Sequence, residues 1–272
     1  VGSEMCIRDS LLDRIQLNQR IKNLEQELRI KRLQDDFVAT ISHELRTPLG
    51  FIKGYATTLL REDTSWDDET RREFLIINDE ETDRQKELID NLLDSSRLQS
   101  GTLRMEFQPI RLDTILKDVC LRERSFNENQ EIELDIEKPD VYARVDPTRM
   151  AQVIENLLSN ARKYAPDSKV KITLGRDNNH AHISVKDYGP GIAADHLDHI
   201  FNRFYRVPNN TTSVRGTGLG LFICRRIVDA HNGVIYAESI PGEGSTFHIK
   251  LDLDQTRNHQ PGYTSEGYGG KV

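Results

Sequence analysis

From Leu11 to about Leu60 the chain carries a single proline, Pro48, amid dense charge, and so few breakers leave room for little but one long helix. Apolar residues recur at Ile21, Leu24 and Leu28, the spacing of a coiled-coil seam. The seam then slips. Lys31 and Asp35 fall on it while Ile30, Leu33 and Phe37 resume it out of phase, a stutter that locally changes the supercoil. A polar turn at residues 62–68 precedes a second helical stretch that runs to about Leu98 and stops before Ser100 and Gly101. A two-helix hairpin cannot shield its apolar stripes alone, so pairing with a second copy into a four-helix bundle is expected. Between Ile77 and Leu88 every residue is polar or charged, and helical spacing back from Leu88 and Leu92 lands on Gln85 and Glu81. The middle of that bundle should therefore pack loosely.

Beyond Gly101 the texture changes to short β-rich runs at 131–136, 169–174, 182–185, 234–237 and 246–251. Helical patterns at 112–123, 147–164 and 218–230 interleave them, which suggests a sheet with helices packed on one face. The class expected is α+β: a long helical hairpin followed by an α/β sandwich. With 272 residues there is enough chain for two domains, and the seam falls at 99–105. Residues 1–10 read as a scar or truncated end, 11–36 as a coiled-coil helix, 37–100 as a dimerisation domain, 101–253 as the sandwich, and 254–272 as a disordered tail.

The formal net charge of -7, with basic residues scattered among acids, argues against a nucleic-acid surface. No apolar run approaches the roughly 20 residues of a membrane span. Cys6, Cys120 and Cys224 are too far apart for a metal knuckle and odd in number, so they are expected to be reduced, in a cytosolic compartment.

At about 100° per residue, Val38, Ile41, Leu45, Leu49 and Ile52 fall within one sector about 80° wide, and His43 lies roughly 160° from its centre. That orientation argues against a satisfied core histidine. Glu44 follows directly and Thr47 lies one turn on, which groups a carboxylate, an imidazole and a hydroxyl on the exposed side. A neutral imidazole has one free lone pair and can act as a nucleophile. As it bonds to an electrophile such as phosphorus, its other N–H becomes more acidic. A carboxylate accepting that hydrogen bond, as Glu44 is placed to do, stabilises the developing charge.

Asn156, Asn160 and Lys163 share one helical face within two turns, two amides and a cation that suit a magnesium-bound triphosphate. Alone, such a pair of asparagines more often simply faces solvent. Asp187-Tyr-Gly189-Pro-Gly191 follows a strand end, where glycines permit close backbone approach. On its own that string is more often a turn than a site. The run Arg215-Gly216-Thr217-Gly218-Leu219-Gly220-Leu221 opens an apolar helix through Ile223 and Ile227, an arrangement suited to anions. It matches neither a Walker loop nor the dinucleotide fingerprint.

The string from Phe37 to Leu49, with His43, Glu44, Thr47 and Pro48, closely resembles the H box of the HisKA-type dimerisation and phosphoacceptor domain of sensor histidine kinases. The later strings resemble the N box and two glycine boxes of that family's ATPase domain, and Phe-Asn-Arg-Phe-Tyr-Arg at 201–206 resembles its F box. The motifs keep the family's order, over about 37–251.

The resemblance implies an ATP-dependent protein-histidine kinase with His43 as phosphoacceptor, Glu44 as general base and Thr47 orienting water to dephosphorylate a response regulator. It implies that Asp187 recognises the adenine amino group, that Tyr164 packs beside the base, and that Asn160 is the magnesium ligand. Asn156, Lys163, Gly189, Gly191, Phe204, Arg206, Gly216, Thr217, Gly218, Leu219, Gly220 and Leu221 complete the nucleotide site. Residues 207–215 correspond to a mobile lid, and Thr246 in Gly-Ser-Thr-Phe to a hydroxyl near the adenine. ATP and Mg²⁺ are the expected cofactors; a second copy and a receiver domain are the expected partners. The kinase core would be cytoplasmic, and the sensor that should precede the coiled coil is absent from this sequence. Gln85 departs from the family, which usually has an apolar residue there. Two other readings, a related ATPase without a phosphoacceptor helix and a non-enzymatic dimeric scaffold, conflict with the H box and with the intact N and glycine boxes respectively.

Overall fold

The computed structural model describes residues 2–126, 130–138, 140–166, 168–177, 179–207 and 217–254; the side chains of 2–18 and of a scatter of later residues are not described. The expected tail beyond Asp254, most of the expected lid, and Gly216 lie outside the described residues. The chain forms two compact units: residues to Asp90 make one, and the chain from Asn91 on, save 217 and 218, makes the other.

The first unit is the helical hairpin. Helix α1 spans Gly2–Leu59 and α2 spans Asp68–Gln99. The first helix starts earlier than its apolar periodicity, because residues 3–10 contain no glycine or proline to stop it. An aromatic cluster closes the turn. The Trp66 indole N–H donates to the Thr58 carbonyl at 3.1 Å, its ring meets Phe74 edge-on at 5.4 Å, and Phe74 lies 5.0 Å from Tyr55. The Asp67 carboxylate accepts from the Thr70 amide at 2.7 Å and so caps the start of α2.

Within one chain only part of the α1 apolar stripe is covered. Pro48 is buried and Ile41, Leu45 and Ile52 are half-buried, but Val38 is 62% and Leu49 55% exposed. Leu75, Ile76, Ile89 and Leu93 on α2 are exposed as well. In the polar centre, Asn78 Oδ1 and Glu81 Oε2 are buried without a hydrogen-bond partner, beside half-buried Gln85. Such atoms are costly in any core.

The second unit comprises β1 (Gln108–Arg111), α3 (Leu112–Phe126), β2 (Ile132–Ile136), β3 (Tyr142–Val145), α4 (Pro147–Tyr164), β4 (Val170–Asp177), β5 (His180–Lys186), the short α5 (Ala194–Leu197), α6 (Gly220–Ala230), β6 (Val234–Ile240) and β7 (Gly244–Asp252). Five strands form one sheet in the order β2-β4-β5-β7-β6, with β2–β4 parallel and the remaining pairs antiparallel. Strands β1 and β3 form a separate antiparallel ribbon that sequence periodicity did not reveal, since four residues are too few to display an alternation. Alternation along the long strands buries Ile172, Leu174, Ile183, Val185, Phe247, Ile249 and Leu251 in the core with Leu157 and Leu158 of α4 and Ile223 and Ile227 of α6. Lys171, His182, Lys186, His248 and Lys250 alternate with them on the other face.

Two features fix the helices that carry the N box and second glycine box. Helix α4 starts where it does because Asp146 accepts from the Arg149 amide at 3.1 Å and Pro147 needs no amide partner at the first helical position. At the end of α6, buried His231 donates Nδ1–H to the Ile227 carbonyl at 2.7 Å and accepts the Asp146 amide on Nε2 at 2.9 Å. The neutral ring thus joins the end of α6 to the cap of α4. The last turns of α2 belong to this unit because Asp94 accepts from Arg149 at 2.7 Å and from Gln152 at 2.9 Å, with Ser95 and Leu98 buried beneath. Compaction therefore divides the chain earlier than the seam at 99–105 suggested by composition.

Burial lowers the His231 pKa, against smaller upward pulls from the Ile227 carbonyl and the Asp146 charge. A histidine with a lowered native pKa contributes stability that is complete above its unfolded value and fades as pH falls below it, because the unfolded state then binds the proton more readily. Thermal melting should show a drop between about pH 7 and pH 5 that is smaller in His231→Gln than in the parent; an equal drop in both would exclude His231 as its source.

Candidate functional site

Asp187 stands one residue past β5 and is 9% exposed. Its Oδ1 accepts from the Gly189 amide at 2.9 Å and from the Ser245 amide at 3.2 Å, and its own amide donates to the Ser245 carbonyl at 2.9 Å. Burial raises the pKa of this carboxyl and the two backbone donors oppose the rise. One oxygen is committed to holding the loop; Oδ2 is left to accept a donor from outside the chain.

The glycines around it are required by space. A Cβ on Gly189 would come within 2.7 Å of Ala165 Cβ and 3.4 Å of the Tyr164 carbonyl, so the first glycine box lies tight against the end of α4. Gly191 and Gly244 both have positive φ, 71° and 103°, and a side chain on either would collide with backbone, of Ile240 and Asp187 respectively.

On α4, Asn156 lies under the start of α6: its Oδ1 is 3.6 Å from where a Gly220 Cβ would be. Nearby, the Cys224 thiol donates to the Val153 carbonyl at 3.7 Å, and burial pushes its pKa up to about 12 and keeps it from ionising. The Asn156 Nδ2 is buried without a partner, an orphan donor at the mouth of α6. Asn160 is half-buried, Lys163 exposed, and Tyr164 44% exposed at the helix end. Gly218 has φ 68°, Leu219 is fully buried, and Leu221 and Thr217 are half-buried. Phe204 has φ 68°, unusual for a bulky residue, with the Arg203 guanidinium 4.4 Å over its ring; exposed Arg206 follows.

One expected residue is misplaced. Thr246 does not share the Asp187 face: it pairs with Lys186 and Glu238, among the outward residues of β7. Side chains alternate along a strand, so the hydroxyl beside Asp187 belongs to its neighbour, Ser245, which is buried. The inward apolar residues Phe247, Ile249 and Leu251, all at odd positions, were the available signal.

These residues fit a purine nucleotide: a buried acceptor for an exocyclic amine, an orphan amide donor, and amides without a side-chain cap at the start of an 11-residue helix. Among the described residues no group of three or more His, Cys, Asp or Glu could hold a metal. No described helix is long and apolar enough to cross a membrane.

On α1, His43 is exposed, Glu44 half-buried, and the Thr47 hydroxyl donates to the His43 carbonyl at 3.1 Å. A histidine displayed on a helical hairpin, in one chain with a one-sided α/β nucleotide fold, is the layout of a two-module phosphotransfer protein. The comparisons agree. Residues 33–101 match the His Kinase A (phospho-acceptor) domain, and residues 145–255 match the histidine kinase-, DNA gyrase B- and HSP90-like ATPase. The chain belongs to the sensor histidine kinase family.

It is 34% identical over 239 residues to the sensor protein kinase WalK of Staphylococcus aureus (strain MRSA252), covering 86% of this chain and 39% of WalK; a second S. aureus WalK sequence is covered over 57%. The chain thus spans about half the length of these relatives. Among solved structures it resembles Acinetobacter baumannii histidine kinase AdeS at 25% identity and TM-score 0.59, over 78% of this chain and 98% of that one. It also resembles histidine kinase ThkA in complex with response regulator protein TrrA, at 25% identity and TM-score 0.57, over 85% of this chain and 66% of that one.

If Asp187 reads an amine, its buried charge is a liability when no nucleotide is bound. A carboxyl whose native pKa is raised binds its proton more tightly folded than unfolded, so stability falls as pH rises from the unfolded pKa through the native one, and the penalty is complete above the native value. Asp187→Asn, which keeps an acceptor oxygen for Gly189 and Ser245, should melt at an equal or higher temperature than the parent near pH 7.5 without nucleotide, and should lose about tenfold or more in Mg-ATP affinity. A variant that still bound Mg-ATP as the parent does would remove Asp187 from nucleotide recognition.

Proposed function

We propose that this chain is the catalytic end of a protein-histidine kinase that uses Mg-ATP to phosphorylate His43 and passes the phosphoryl group to an aspartate of a response-regulator receiver domain. The observation that carries the reading is an exposed His43 followed by Glu44 on a helix of the phosphoacceptor family, in the same chain as a nucleotide fold centred on Asp187.

In the first step a lone-pair nitrogen of His43 attacks the γ-phosphorus, an N–P bond forms, and the bond from phosphorus to the bridging oxygen breaks to release ADP. Glu44 accepts the hydrogen bond of the other ring N–H and takes up its proton, so the phosphorylated imidazole need not remain a cation. Asp187 accepts the adenine amino group, Tyr164 packs beside the base, Lys163 meets phosphate charge, and the amides from Thr217 to Leu221 face the phosphates. Asn156, Gly189, Gly191, Phe204 and Arg206 shape the walls. A bound Mg²⁺, with Asn160 as its protein ligand, would neutralise triphosphate charge.

In the second step an aspartate oxygen of the receiver attacks the same phosphorus and the N–P bond breaks, restoring His43. The Thr47 hydroxyl commits its proton to the His43 carbonyl, which leaves its lone pairs to accept from a water, the polarity needed to orient that water for dephosphorylating the receiver. The receiver as partner is supported by the ThkA complex with TrrA.

A second copy of this chain is the natural cover for Val38, Leu49, Leu75, Ile76, Ile89 and Leu93, completing a four-helix bundle. The sensor would come from sequence upstream, with this portion in the cytoplasm.

Incubation with γ-labelled ATP should label the parent, and His43→Gln should reduce incorporation at least about a hundredfold, since no other group replaces the nucleophile. Undiminished labelling of that variant would refute the assignment.

A further inference from the structure

Ser239 lies on β6, outside every motif that the sequence singled out, yet three hydrogen bonds converge on its hydroxyl. It donates to the Gly244 carbonyl at 2.8 Å, accepts from the Ile192 amide at 2.7 Å, and lies 3.0 Å from Ser245 Oγ. A serine hydroxyl has one proton and two lone pairs. The proton is taken by Gly244 and one lone pair by Ile192, so the bond with Ser245 must run from Ser245 Oγ–H to the remaining lone pair of Ser239. Ser245 is thereby left with lone pairs only. It becomes an acceptor, of the same polarity as the open Oδ2 of Asp187, a residue to which Ser245 is joined through its backbone.

The same hydroxyl joins two loops that have no slack. The turn after β6 is braced on the first glycine box by the Gly242 amide donating to the Pro190 carbonyl at 2.8 Å, and by the crowding that excludes side chains at Gly191 and Gly244. Ser239 holds the far end of the first box through Ile192 and the start of β7 through Gly244. Asp187 and Ser245 sit on those two segments and are bonded to each other through backbone. A shift of either loop would misalign both acceptors.

We propose that Ser239 is a positioning residue for the nucleobase: it fixes the first glycine box against β7 and sets Ser245 as an acceptor toward a purine bearing an exocyclic amine. Ser239 acts through Ser245 and Asp187 and need not touch the ligand. The proposal rests on the reading of Asp187 as the amine acceptor.

The test uses the whole chain and compares the parent with Ser239→Ala, Ser239→Thr and Asp187→Ala. The readouts are KM and kcat for autophosphorylation with Mg-ATP, affinities for ADP and for inosine diphosphate, in which a carbonyl replaces the amine, and melting temperature. Ser239→Ala should raise KM for ATP about 3- to 10-fold, the size of one or two lost hydrogen bonds, while kcat changes less than about twofold. Its preference for ADP over inosine diphosphate should shrink, and Ser239→Thr, which keeps the hydroxyl, should restore both. Should the alanine variant fail to fold, Ser239→Cys, whose slightly larger thiol is a weak donor and acceptor, weakens each bond and is read in the same way. An unchanged KM and base preference overturns the proposal. So does a parallel fall in kcat and melting temperature with base preference intact, which would make Ser239 merely structural. If Asp187→Ala binds ADP as the parent does, the reading of the site itself fails, a different result from either.

Discussion

The nucleotide unit is organised around a carboxylate that has been taken out of water. Asp187 Oδ1 is fastened by the amides of Gly189 and Ser245, so one buried group ties the end of β5 to the first glycine box and to β7. The glycines follow from this closeness. Gly191 and Gly244 adopt backbone conformations that other residues resist, and a Cβ at either would strike a neighbouring chain segment. Burying a charge with only two neutral donors costs stability, as the raised pKa of Asp187 records. Retaining that cost is reasonable only where a ligand supplies the missing donor.

The hairpin has the opposite requirement. Its reactive group must stay exposed while its helix remains packed. His43 meets this by lying across the helix from the apolar stripe, with Pro48 buried one turn on. The stripe itself is half satisfied within one chain, and the polar layer of Asn78, Glu81 and Gln85 gives the hairpin little grip at its centre. A helix pair weakly held in the middle and well closed at its turn by Trp66, Phe74 and Tyr55 is suited to small shifts around His43.

Much of this was legible in the sequence where one local rule dominates. The bounds of α4 could be read directly because Asp146 and Pro147 are a start signal independent of the rest of the fold. His43 could be placed on the exposed side by counting rotation, since α1 is regular. What stayed hidden depends on partners distant in the chain. The ribbon of β1 and β3 is too short to show a pattern; His231 caps across 85 residues to the Asp146 amide; Ser239 bonds Ile192 47 residues away. Thr246 is a different case. The alternation of Phe247, Ile249 and Leu251 assigns even positions to the outer face, which puts Ser245 rather than Thr246 on the face of Asp187.

The claim on which the rest depends is that Asp187 Oδ2 accepts the adenine amino group. A structure of the chain determined with magnesium and a non-hydrolysable ATP analogue tests it most directly. The account predicts the exocyclic nitrogen within about 2.7–3.2 Å of Asp187 Oδ2, with the phosphates toward the start of α6. A base seated elsewhere, or one turned so that its amine faces away from Asp187, would contradict it.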